Sequence, residues 1–118
     1  MSDVMNPADI EQAIRDTANR IANSVKVCSD AYREFARLDL AYDQAVARAY
    51  MAHEGPAHEK KYAAELATAN ERTARDVADV AYRHADRLAK SLDTELRAYQ
   101  SVGASIRSMY AVAGRGDS

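Results

Sequence analysis

The chain has 118 residues with 16 basic and 18 acidic side chains, a formal charge of -2, and nearly half of its residues apolar. That is enough for one domain with a core, and the even spread of charge excludes a polyacidic tail or a strongly basic nucleic-acid arm. The core is thin, because alanine supplies about a fifth of the sequence, tryptophan is absent, and there is one phenylalanine.

Asn6-Pro7-Ala8-Asp9 reads as a helix start. Asn6 can cap free amides, Pro7 suits the first helical position, and Asp9 complements the positive end of the dipole. Residues 1–6 are expected to be a flexible N-terminus, with helix 1 over 7–53. Its apolar face is Ile10, Ile14, Ile21, Val25, Cys28, Tyr32, Phe35, Leu38, Tyr42, Val46 and Tyr50. Within it Ile14, Ile21, Cys28, Phe35 and Tyr42 recur every seven residues, the spacing of a helix packed along another helix. Cys28 is the single cysteine, so no intrachain disulfide can form, and its seam position suits a small buried apolar residue in a reducing compartment.

Gly55-Pro56 is the strong break in the middle of the chain. Gly55 is expected to end helix 1 in a left-handed conformation, and residues 54–56 to form the turn. Helix 2 is expected over 57–112, with the stripe Tyr62, Leu66, Val77, Ala81, Ala85, Leu88, Leu92, Leu96, Tyr99, Val102, Ile106, Met109 and Tyr110. Larger apolar residues vanish between Leu66 and Val77, which predicts a kink near 67–76. Residues 113–118 are expected to trail off as a flexible tail.

Two helices of about 46 and about 55 residues, each on the order of 70 to 80 Å long, predict an all-α protein folded as a long antiparallel helical hairpin. The stripe is wider than a strict coiled-coil seam, since Leu88, Val102 and Met109 flank it. Dimerisation into a four-helix bundle is the natural completion.

Charges follow the same repeat. Asp79, Asp86 and Asp93 stand four residues before Arg83, Lys90 and Arg97, the acid-first order that supports an exposed helix, and Glu11 with Arg15, Asp16 with Arg20 and Glu71 with Arg75 repeat it. The row Arg83, Lys90, Arg97, with Arg107 beyond it, is the candidate for nucleic-acid contact. An aspartate one turn from each of the first three leaves the field nearly neutral.

His53-Glu54 and His58-Glu59 invite a metal reading, but the spacing is one residue longer than His-Glu-x-x-His and Gly55-Pro56 interrupts the helix. No catalytic, cofactor or metal site is expected, because no phosphate loop or nucleophile elbow is present. Arg115-Gly116-Asp117 matches an adhesion tripeptide by chance. No stretch approaches the length of a membrane span, and the first residues carry no signal pattern, so a soluble, cytoplasmic protein is expected.

The seven tyrosines suit the edge of a thin seam, where the ring packs and the hydroxyl reaches water. The densest apolar and aromatic cluster lies near the end of the chain, with Arg97 and Arg107 beside it. Leu92, Leu96, Tyr99, Val102, Ile106, Met109 and Tyr110 are therefore the candidate interaction surface.

The segment from Leu92 to Tyr110, together with Glu54-Gly55-Pro56-Ala57-His58-Glu59, resembles small uncharacterised all-helical proteins of tailed bacteriophages, particularly those of actinobacteria. The resemblance covers the chain from about Leu38 onward and carries no catalytic residue with it. Such proteins are often encoded near recombination or replication genes. The resemblance therefore implies an accessory role in phage DNA metabolism, in the bacterial cytoplasm. The combined expectation is a non-enzymatic interaction or assembly module that forms a homodimer and binds a further, unidentified protein; the alternative is direct nucleic-acid binding.

Overall fold

The computed structural model describes residues 6–116, with side chains described through residue 114. The described residues form three helices and no strand: α1 (Pro7–Ala52), α2 (Ala57–Ala67) and α3 (Ala69–Gly116). The protein is all-α, and no helix among the described residues is long and apolar enough to cross a membrane.

The start of α1 is set by local chemistry. The Asp9 amide donates to Asn6 Oδ1 at 2.9 Å and the Asn6 amide donates to Asp9 Oδ2 at 3.3 Å, a reciprocal box that satisfies two amides the helix cannot. Asn6, expected to belong to a flexible terminus, is thus tied to the helix start, and residues 1–5 lie outside the described residues.

The turn after α1 differs from expectation in its cause. No glycine has a positive φ, so Gly55 is not a left-handed cap. Reversal relies instead on Pro56, whose extended φ of -60° and ψ of 150° precede α2. A Cβ at 55 would lie 2.9 Å from both Glu59 Oε2 and His53 Nε2, the mobile ends of two side chains that could swing aside.

The expected single helix over 57–112 is two helices. Thr68, with φ -113° and ψ 20°, separates them, and its hydroxyl donates to the Ala64 carbonyl at 2.7 Å. The backbone ladder continues past it, since the Thr68 amide also donates to the Ala64 carbonyl at 3.1 Å and the Arg72 amide donates to the Thr68 carbonyl at 3.0 Å. At the far end α3 continues through Gly114 to Gly116 rather than ending at Val112. Neither glycine there turns left-handed, so nothing stops the helix. The expected tail is therefore helical over 113–116, and residues 117–118 lie outside the described residues, as does Asp117 of the adhesion-like tripeptide.

The chain divides into two compact units. One unit joins the chain up to Lys26 to the chain from Arg87 onward, and the other is Val27–Asp86.

In the first unit α1 and α3 run in opposite directions: Ile10 packs at the level of Gly103, and Arg20 at the level of Glu95. Its buried residues repeat every seven positions on α1 as Ile10, Thr17 and Ser24, and on α3 they include Leu92 and Ile106. Gly103 lets the helices close, since a Cβ there would sit 3.0 Å from Ile10 Cγ2. Ser24 is satisfied locally, its hydroxyl donating to the Ile21 carbonyl at 2.7 Å.

In the second unit the chain reverses through the turn, and the buried apolar residues are Ala64, Ala78 and Ala85. Cys28, Phe35, Leu38 and Tyr42 of α1 are only half-buried. Aromatic contacts line the seam: Tyr32 and Tyr82 meet edge to face at 5.2 Å between ring centres, and the Arg75 guanidinium lies 4.6 Å over the Tyr42 ring.

Candidate interaction surface

The seven residues expected to form a surface separate according to their place on α3. Leu92 and Ile106 are buried inside the first unit, where they serve the chain's own packing. Leu96 and Tyr99 are half-buried. Val102, Met109 and Tyr110 are exposed, at 45%, 64% and 61% of their accessible surface. The correction has a geometric reason: Leu92, Tyr99 and Ile106 continue the seven-residue series of the seam, while Val102 and Met109 belong to the neighbouring series that starts at Leu88. Leu88 itself is 46% exposed.

Several residues of the expected stripe face outward for the same reason. Tyr62, Leu66 and Val77 are well exposed, and the seam is carried instead by Ala64, Thr68, Arg75, Ala78 and Tyr82. On α1 the sequence reading missed Thr17 and Ser24, which are small and polar yet buried. The signal that could have found them is their seven-residue step from Ile10.

The basic row on α3 is largely neutralised. Arg83 Nε donates to Asp79 Oδ1 at 3.1 Å and Arg97 pairs with Asp93 at 2.9 Å. Lys90 and Asp86 are engaged as well. Arg107 folds toward its own helix, with Nη1 3.5 Å from where a Gly103 Cβ would stand.

Three expected pairs on the helix surfaces are replaced. Arg15 donates to Gln12 at 3.2 Å, Arg20 reaches Glu95 across the seam at 3.5 Å, and Arg75 pairs with Asp76 at 3.0 Å and Asp39 at 3.6 Å. The seam brings Arg20 a carboxylate from the other helix, whereas Arg75 holds its neighbour Asp76 more closely than Asp39 across the seam. The hydrogen bonds that Arg75 donates to Asp76 lead in holding its guanidinium above its ordinary pKa. The Arg37 hydrogen bond to Glu34 at 2.6 Å holds that carboxyl below its usual range.

At the turn His53 Nε2 is shielded from solvent without a hydrogen-bond partner, 3.6 Å from Glu59 Oε2. Among the described residues no group of three or more His, Cys, Asp or Glu side chains is arranged to hold a metal ion. An open groove of about 490 Å³ in the second unit is lined by Cys28, Tyr32, Arg33 and Tyr82, with Ser29 and Ala36.

The arrangement offers apolar rows and exposed tyrosines flanked by internally matched charges, the chemistry of a helix-packing surface. Comparisons with protein-family models, curated proteins and solved structures find no match.

Proposed function

We propose that this chain is a non-enzymatic helical interaction module, an antiparallel hairpin that self-associates into a four-helix bundle and so presents itself to a further protein. One observation carries the reading. Among the described residues the buried apolar side chains larger than alanine are Ile10, Leu92 and Ile106, while fifteen large apolar side chains are exposed. A fold that leaves most of its large apolar groups in water forgoes its main driving force, and a second set of helices restores it. The resemblance to phage proteins points to a DNA-processing partner. Direct nucleic-acid binding is the weaker alternative, because Arg83 and Arg97 are engaged by Asp79 and Asp93.

Sedimentation equilibrium across the micromolar range tests the proposal. The expected mass is twice 13.0 kDa. A mass of 13.0 kDa at every concentration would refute it.

A further inference from the structure

We infer that the partner on the first unit is a second copy of this chain, seated so that α3 of each copy packs against α1 of the other, with the Arg20–Glu95 pair at the centre of the contact. This inference rests on the self-association proposed above and names its face and geometry. On α3, Leu88, Glu95, Val102 and Met109 follow one another at seven-residue steps and so share one side of the helix. On α1, Ala13 and Arg20 do the same. The Arg20 Nη1 to Glu95 Oε2 contact of 3.5 Å sets these two rows side by side along one edge of the seam. The α3 row is the apolar one, with Leu88, Val102 and Met109 exposed by 46%, 45% and 64%. The α1 row is low at Ala13 and offers room for a larger side chain.

Charge selects how a second copy lies on this face. Arg20 stands on α1 and Glu95 on α3 at one level, and both stay partly open to solvent, at 56% and 36%. A two-fold axis running along the helices keeps every residue at its own level and exchanges the columns. It brings each Arg20 onto the partner's Glu95, and each Val102 onto the partner's Ala13, large against small. A two-fold axis across the helices at that level stacks like helices, setting Arg20 against the partner's Arg20 and Glu95 against the partner's Glu95. Like charges brought together in an interface are strongly unfavourable, so the first arrangement is the one this face accepts. The two ion pairs then specify register, and the apolar row supplies the buried area.

The test uses the full chain and charge reversal in trans. Arg20→Glu makes the face wholly acidic at this level and Glu95→Arg makes it wholly basic. Each variant alone is expected to weaken dimerisation at least about tenfold, and an equimolar mixture of the two to recover a mass twice that of one chain. Circular dichroism of each variant checks that the helices remain. Val102→Asp is expected to give a helical monomer, and Val80→Asp, at a more exposed position in the second unit, to leave the dimer intact. The inference is overturned if the single charge variants dimerise as the parent does, if their mixture stays monomeric, or if Val80→Asp rather than Val102→Asp dissolves the dimer. In each of those cases a dimeric parent leaves the broader reading standing, whereas a monomeric parent removes both.

Discussion

The first unit closes its seam with Ile10 against Gly103 and with Leu92 and Ile106 on α3, whereas Val27–Asp86 closes its own with Ala64, Ala78 and Ala85. Both follow the same seven-residue repeat. The first buries a few large aliphatic groups, each worth roughly 1.5 to 3 kcal/mol of transfer free energy, and needs a glycine opposite Ile10. The second lines its seam with small residues and sets aromatic rings along it, where Tyr42 meets Arg75 and Tyr32 meets Tyr82. One repeat can therefore be filled in two ways, by bulk or by close approach, and the two should fail in opposite directions.

The largest expected effect is from truncation in the first unit. Ile10 is 1% exposed, and Ile10→Ala should cost about 3 kcal/mol in urea unfolding, since little around it can collapse into the cavity. Enlargement should hurt the second unit. Ala78 is 7% exposed, and Ala78→Leu should cost about 2 kcal/mol by forcing the helices apart. If Ala78→Leu stabilised the protein, the close-approach account of that unit would be wrong. The capping box at the start of α1 comes next: Asn6→Ala should cost about 1 kcal/mol, with amide exchange accelerated in the first turn alone.

The smallest effect belongs to the exposed Glu34–Arg37 pair. Arg37→Ala should return the Glu34 carboxyl to its ordinary range in a carbon-detected NMR titration while leaving the melting temperature unchanged. The sign follows from the lowered folded-state value: what the pair contributes is present at neutral pH and is lost as pH falls through the range where Glu34 takes up its proton.

Much of this fold is legible in the sequence because its punctuation is chemical. Asn6-Pro7-Ala8-Asp9 spells a cap, and α1 begins there. The loss of bulk after Leu66 marked a weakness, and Thr68 interrupts the helix beside it. Other features were hidden because bulk was taken as the sign of burial. Thr17 and Ser24 are small and polar, yet they sit deeper than Val25 or Tyr32 because position in the repeat outranks hydropathy when two helices approach closely. Val77 and Leu66 are apolar and point to solvent for the converse reason. At the turn, Gly55-Pro56 is legible as a break, but the approach of His53 to Glu59 over it depends on side chains that only folding brings together. Within the candidate surface on α3, Leu92 and Ile106 differ from Val102 and Met109 only in which seven-residue series they join, and that depends on where α1 lies.

The central claim is that one chain leaves its helices short of packing partners and a second copy supplies them. Thermal unfolding followed by circular dichroism over a hundredfold range of protein concentration tests it most directly, because folding coupled to association makes the midpoint depend on concentration. The account predicts a midpoint that climbs steadily with concentration. A midpoint that stays constant across the range would contradict it.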